Sequence, residues 1–175
     1  MARSFDLDPL EGIAVGTVGP PGQRQFFLRA AGSGESIVLY CEKFHVQGLI
    51  VRVRQLLEAQ GMDPTASSDP PPPAEPGQVD WVIGELGLGY HEDRRMFVIV
   101  AREASAEERA EGAEGADQAD LATARFWASP EQLKDFASQA AAVVGAGRPQ
   151  CPYCGLPVDP SGHPCPASNG SRPVL

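Results

Sequence analysis

The sequence predicts an α+β protein in which two β–β–β–α units form an antiparallel sheet covered by two helices, with a zinc knuckle at the C-terminus. Three observations lead to this prediction. Six short stretches are rich in apolar residues, which either alternate with small or polar ones or run almost continuously, as they do in strands. Two longer stretches place apolar residues three and four positions apart, which is typical of one helical face. The end of the chain carries three cysteines and one histidine within fifteen residues.

The first unit contains three expected strands and one helix. The strands are predicted at 12–18, 25–31 and 36–41, and turns rich in glycine and proline separate them. The helix is predicted from 43 to 60, because its apolar residues follow helical spacing and Gly61 suits a helix end.

The second unit repeats this order of elements. Its strands are predicted at 79–88, 95–102 and 122–128. Ser129 opens the second helix, because serine followed by proline, with Gln132 three residues later, is the pattern of a capping box.

Similar short segments occur at matching places in the two units, which predicts an internal duplication. Segment 15–19 corresponds to 83–87, and segment 24–27 corresponds to 95–98. Neither unit alone can cover its sheet, so we expect the two to pair about a pseudo-twofold axis. The ordinary pattern of β-hairpins also explains the similarity, and that interpretation stays open.

The composition predicts one domain, a C-terminal segment and three polar stretches. Residues 1–147 are expected to form the duplicated domain, and residues 148–175 the zinc-binding segment. Polar residues 1–11 are expected to lie loosely on the surface. Residues 63–78 are rich in proline and predict a semi-rigid or disordered linker, and residues 103–120 predict an acidic loop too polar to pack.

The pattern C-x2-C-x8-H-x-C is the sharpest chemical signal in the chain. It supplies Cys151, Cys154, His163 and Cys165, and three thiolates with one imidazole are a common ligand set for structural Zn2+. Four protein ligands leave no position for a water molecule, so the predicted zinc is structural and not catalytic. The alternatives are a redox-active pair formed by Cys151 and Cys154, or incidental cysteines in a disordered tail.

The net charge and the N-terminal sequence argue against nucleic-acid-binding, secreted and membrane-spanning proteins. The net charge of −9 argues against general binding to phosphate backbones. The N-terminus lacks the apolar run of a secretory signal, and no stretch approaches membrane-spanning length. Together with a thiolate zinc site, these observations predict a cytoplasmic protein that does not contact membranes.

No nucleophile–base pair is visible, so the chain is not predicted to be an enzyme. His45 and His91 are expected to be solvated, and Cys41 is expected to be a buried, inert thiol.

A candidate ligand pocket is predicted from three polar residues near the ends of apolar strands. These residues are Arg24, Glu42 and Glu85.

Three segments also resemble a known family over nearly the whole chain. They are 15–28, 84–90 and the tail 151–170, with its Cys-Pro-x-Cys-Gly and Gly-His-x-Cys motifs. They resemble an uncharacterised actinobacterial family, a domain of unknown function. Its members are typically encoded with a histidine-phosphatase-like and a phosphoinositide-kinase-like protein. The resemblance implies an actinobacterial, cytosolic origin and partners among the neighbouring gene products, and it implies no activity.

These observations predict a non-enzymatic zinc-containing module that acts through protein interaction or regulation. The alternative is a single-stranded nucleic-acid-binding protein, similar in outline to Pur-alpha-like and Whirly-like repeats. That alternative needs a basic strip, for which the candidates are Arg24, Arg29, Arg52, Arg54 and Arg125. A third hypothesis is a small-molecule sensor with a pocket between the two units.

Overall fold

The computed structural model describes residues 2–66, 68–109, 121–147, 149–155, 158, 162, 163 and 165. We call its part up to residue 147 the body. The elements of the body, in chain order, are β1 (Phe5–Leu7), β2 (Leu10–Val18), β3 (Gln25–Gly32), β4 (Glu35–Cys41), α1 (Lys43–Ala59), β5 (Trp81–His91), β6 (Met96–Glu103), α2 (Ala106–Arg109), β7 (Thr123–Ala128) and α3 (Pro130–Gly145). After β1, the order β–β–β–α occurs twice if the short helix α2 between β6 and β7 is set aside. Helix α1 ends one residue before its predicted limit, and α3 begins directly after Ser129 as predicted.

One face of the sheet packs against the two long helices. The apolar stripes of these helices point inward, as their spacing predicts, and α1 and α3 also contact each other. The alternating side chains of the strands complete one continuous core, whose largest fully buried members include Phe97, Phe126 and Phe136. Among the residues described, no helix is long and apolar enough to cross a membrane.

The seven strands lie in the order β1-β7-β6-β5-β4-β3-β2. The first and last strands of this order are joined by only Asp8 and Pro9. Three consecutive Cα–Cα steps span at most about 11 Å, so Leu7 and Leu10 must lie close together. The two ends of the sheet therefore come close together where β1 leads into β2.

The sheet is mixed, and the prediction of an antiparallel sheet is wrong for two of its strand pairs. β4 and β5 are parallel, and so are β1 and β7. Parallel neighbours need a crossover connection, and α1 supplies it between β4 and β5. Local sequence pattern carries no information on such long-range pairing.

The prediction that residues 1–11 lie loosely on the surface is also wrong. Phe5 and Leu7 of β1 are buried against the core, and Leu10 begins β2. A strand of three residues is too short to produce a recognisable alternation, which explains why the sequence pattern did not predict it.

The free edge of β2 is covered by side-chain and backbone groups from elsewhere in the body. The buried amide of Gln139 accepts a hydrogen bond from the Val15 backbone N–H (2.9 Å) and donates one to the Val15 carbonyl oxygen (2.8 Å). The backbone N–H of Ala74 donates to the same carbonyl oxygen (3.0 Å). This edge of the sheet is therefore satisfied without a further strand.

The predicted linker 63–78 contains no helix or strand in its described residues, and it lies against the body. Besides the bond from Ala74, the carbonyl of Glu75 accepts a hydrogen bond from Arg29 (3.3 Å). In the predicted acidic loop 103–120, the first residues end β6 and form the short helix α2, and residues 110–120 lie outside the described residues.

Candidate metal centre

The structure brings the four predicted zinc ligands together. The ligand atoms of Cys151, Cys154, His163 and Cys165 all lie within 4.8 Å of one another. The Sγ atoms of Cys151 and Cys165 are 3.8 Å apart, and Cys154 Sγ is 3.2 Å from His163 Nε2. We call these four residues the cysteine cluster.

Two of these distances are close to those of a tetrahedral metal site. With Zn–S near 2.3 Å and Zn–N near 2.0–2.1 Å, a tetrahedron places two sulfurs about 3.8 Å apart and a sulfur and a nitrogen about 3.6 Å apart. The separation of 3.8 Å between Cys151 and Cys165 matches the first value, and the separation of 3.2 Å between Cys154 and His163 is shorter than the second. The cluster is therefore able to hold one metal ion through four protein ligands.

A tight turn places the first two thiols side by side. The backbone N–H of Gly155 donates to the carbonyl oxygen of Cys151 (2.9 Å), and Gly155 has a φ of 72°, a conformation that glycine adopts without strain. A second bond, from the Val158 N–H to the Pro149 carbonyl oxygen (2.8 Å), holds the returning chain against the start of the turn.

Most of the cysteine cluster is buried, although few apolar side chains surround it. Cys151 and Cys165 are each 2% exposed and His163 is 8% exposed, whereas Cys154 is half-buried. Apart from the ligands, Val158 is the only buried residue of this small core among those described. Ordering of this segment therefore depends on more than hydrophobic burial.

The electrostatic surroundings of Cys151 favour its thiolate. Burial acts to raise the pKa of this thiol, but hydrogen bonds from the backbone N–H groups of Tyr153 and Cys154 and contacts with the thiols of Cys154 and Cys165 outweigh burial and lower the pKa. The thiolate is the form that binds metal ions.

The imidazole of His163 turns one nitrogen, Nε2, toward Cys154. Its other nitrogen, Nδ1, is buried and has no hydrogen-bond partner among the described residues. In metal sites of this kind the second ring nitrogen usually donates to an outer acceptor, which fixes the ring. Here the described part of the chain supplies no such acceptor.

A family comparison covers both the body and the cysteine cluster. A sequence profile described as "Protein of unknown function (DUF3090)" matches residues 5–165, from the first strand to the last of the four ligands. The chain belongs to the DUF3090 family. No curated protein and no solved structure matches the chain. Within this DUF3090 chain, function must therefore be argued from the residues themselves.

Two of the three residues of the candidate ligand pocket meet in one cavity. Arg24 and Glu42 both line a cavity of about 610 Å3. Glu85 is not among its lining residues, and its carboxylate instead pairs with Arg102 at 3.1 Å. Lys43 and Gln150 also line the cavity, and the sequence offered no signal for either of them.

His45 is not a solvated histidine, so this prediction is wrong. Its Nδ1 accepts a hydrogen bond from the backbone N–H of Glu42 (3.1 Å), and Nε2 lies 3.3 Å from the carbonyl oxygen of Gly84. Because Nδ1 accepts, the proton belongs on Nε2, which donates to Gly84. Burial lowers the pKa of this imidazole despite that bond.

The second histidine of the body and its one cysteine, Cys41, are not part of the cysteine cluster. His91 ends β5 and is exposed, and its ring meets the edge of Trp127 at 5.8 Å between centroids. Cys41 is 1% exposed, and burial raises the pKa of its thiol to about 12. Cys41 is thus a buried thiol that stays protonated at neutral pH, as predicted.

The arginines proposed for a basic strip are mostly engaged within the body. Arg24 donates to the carbonyl oxygen of Val143, Arg29 donates to that of Glu75, and Arg125 lies 3.9 Å from the carboxylate of Asp6.

Proposed function

We propose that this DUF3090 protein is a non-enzymatic, zinc-containing module that acts through protein interaction or regulation. The cysteine cluster binds one Zn2+ as a structural ion. The observation that carries this proposal is the convergence of three thiols and one imidazole within 4.8 Å. Soft sulfur ligands with one imidazole favour zinc over harder ions such as magnesium or calcium.

In this proposal the zinc ion has a structural task. Four protein ligands fill its tetrahedron, so the ion activates no water and instead fixes the turn at Cys151 and the chain around Val158. The absence of a nucleophile–base pair in the sequence supports the same interpretation.

Metal analysis of the purified full chain tests the zinc assignment. We expect about one equivalent of zinc, and we expect Cys154→Ser to lose most of it. Cys41→Ala is the matched control, because Cys41 is a buried thiol of the body and should leave the zinc content unchanged. The proposal would be contradicted if the purified protein contained no zinc, or if Cys41→Ala lost as much zinc as Cys154→Ser.

An interaction surface is proposed on the metal turn itself. Tyr153 stands between two ligands and is 71% exposed, and a rigidly held aromatic side chain is typical of protein contact sites. The resemblance makes the neighbouring histidine-phosphatase-like and phosphoinositide-kinase-like proteins the first partners to test. We expect a tagged chain to retain one of them, and Tyr153→Ser to weaken that retention while keeping its zinc. Retention that does not change in Tyr153→Ser would contradict this surface.

We also propose that the body arose by duplication of a β–β–β–α unit. In support, the last strand of the first unit, β4, lies parallel to β5, which begins the second unit, and the last strand of the second unit, β7, lies parallel to β1, which leads into the first unit. An actinobacterial origin and a cytoplasmic location are proposed from the resemblance.

Single-stranded nucleic-acid binding stays an alternative, and a gel shift at low ionic strength tests it.

A further inference from the structure

The cavity lined by Arg24 lies where four parts of the chain meet. They are the turn between β2 and β3, the start of α1, the end of α3 and the segment that leads into the cysteine cluster. Its volume of about 610 Å3 is that of a typical small-molecule site. Its functional side chains are Arg24, Phe26, Glu42, Lys43, Gln47 and Gln150.

The guanidinium of Arg24 is held in place at the cavity wall. Its Nη1 donates to the carbonyl oxygen of Val143 (3.1 Å), and its centre lies 5.2 Å from the centroid of the Phe26 ring. Neither contact neutralises its charge. Among the described residues, no ion pair is formed by Arg24 or by Lys43. Two cations therefore face one cavity without a carboxylate bound to either.

Gly147 leaves the space that the guanidinium occupies. A Cβ atom at this position would lie 2.9 Å from Arg24 Nη2 and 3.4 Å from the carbonyl oxygen of Val144. Gly145 lines the same cavity, and a Cβ atom there would meet nothing within 4 Å. The two glycines therefore allow a matched test of whether the position of Arg24 matters.

The charges around the cavity define the chemistry of a ligand. Two cationic side chains and one carboxylate line the cavity, a formal excess of one positive charge in a protein whose formal net charge is −9. We infer that the cavity binds a small molecule with an anionic group, held by Arg24 and Lys43, and with hydroxyl groups that donate to Glu42. The shared chemistry fits a sugar or polyol phosphate and a hydroxy acid alike.

Direct binding to the zinc-loaded full chain tests the inference. The probes are glycerol 3-phosphate and tartrate, which carry the two kinds of anionic group beside hydroxyls. We expect calorimetry to show that one of them binds with a 1:1 stoichiometry. The probe with the higher affinity shows whether the cavity prefers a phosphate or a carboxylate. Arg24→Gln should weaken binding about tenfold or more, because it removes a charge-assisted hydrogen bond. Arg52→Gln, an exposed arginine of α1 outside the cavity, should change the affinity less than about twofold.

Three further variants separate this role from a purely structural one. Gly147→Ala should weaken binding several-fold by displacing Arg24, whereas Gly145→Ala should leave it unchanged. Glu42→Gln should strengthen binding of pyrophosphate, an anion without hydroxyl groups, by a few-fold, because it removes a like charge. A role of these residues in stability alone would not produce opposite changes in affinity.

Failure of the inference is distinguishable from failure of the proposed zinc site. The inference would be overturned if neither probe bound at concentrations up to about 10 mM, on the order of the weakest affinity that a specific site of this size would show. It would also be overturned if Arg24→Gln and Arg52→Gln lost the same amount of binding affinity. Zinc content measured on the same preparations reports on the cysteine cluster alone. Full zinc occupancy without probe binding would thus reject the cavity proposal and leave the metal assignment standing.

Discussion

The body and the cysteine cluster differ in what each of them buries. The body buries large side chains from seven strands and two helices in one continuous core, with Phe97 and Phe126 fully inaccessible. The cysteine cluster buries its own ligands and, among the described residues, only Val158 besides. One buried valine contributes about 1.5–3 kcal/mol, which is less than the cost of ordering even a few residues. The comparison teaches that the body is stabilised by hydrophobic burial and the cluster needs another source of stability.

Removal of the proposed zinc ion is expected to have the largest effect and to act on one region alone. Structural zinc contributes roughly 10–16 kcal/mol to sites of this kind, so a strong chelator should abolish the order of the chain around Cys151. Amide exchange at residues 150–155 should then approach the unfolded rate, while exchange in β6 and β7 should stay slow. Hydrogen exchange measured by mass spectrometry checks this, and unfolding of the body on chelation would break the comparison.

Loss of a core aromatic should be the matching experiment on the body. Phe136 of α3 is 1% exposed, and Phe136→Ala should lower the free energy of unfolding by about 3–5 kcal/mol. Phe44 of α1 is 65% exposed, and Phe44→Ala should lower the free energy of unfolding by less than about 0.5 kcal/mol. Urea titration followed by fluorescence measures both. The comparison predicts that zinc content per folded molecule stays unchanged in each variant.

The buried amide of Gln139 offers a smaller test of how the body satisfies its sheet edge. Gln139→Leu keeps most of the volume but removes two hydrogen bonds to Val15. Leaving that buried backbone N–H unpaired should cost about 1–3 kcal/mol. Equilibrium unfolding measures the loss, and Gln55→Leu on the exposed face of α1 serves as control. Equal stability of the two variants would show that the edge does not depend on Gln139.

The smallest expected effect is the pH dependence that His45 contributes. Burial lowers the pKa of this imidazole in the folded body, so the unfolded chain binds a proton more readily. Its contribution is therefore present above the ordinary pKa of about 6.5 and is lost as the pH falls toward the lowered value. Because the imidazole ring is partly exposed, we expect its contribution to the free energy of unfolding to be less than about 1 kcal/mol.

A conservative replacement of His45 isolates its contribution to the pH dependence of stability. His45→Gln should flatten the stability profile between pH 7 and 5, because a glutamine at the same helix position supports the cap without titrating, as Gln132 does in α3. Zinc release at low pH, caused by protonation of the cysteine cluster, should be the same in both proteins. An unchanged slope in His45→Gln would show that other groups of the body cause the pH dependence.

Local pattern was sufficient for six of the seven strands, for both long helices and for the residues of the cysteine cluster. The six predicted strands and both long helices are present, and spacing alone brought Cys151 and His163 into one candidate site. His45 was missed although a signal existed, since it follows Glu42 by three residues, as Gln132 follows Ser129. The parallel pairs and the partners of Arg24 were beyond reach, because contacts such as Arg24 with Val143 join residues far apart in the chain.

The pairing of β1 with β7 has a consequence for synthesis of the protein on the ribosome. The N-terminal strand is made first, but its neighbour, from Thr123 to Ala128, is among the last parts of the body to be translated. Because domains fold as they emerge, Phe5 and Leu7 stay without their native cover until that late segment leaves the exit tunnel. A nascent chain stalled before β7 would therefore be a substrate for chaperones that recognise exposed apolar segments.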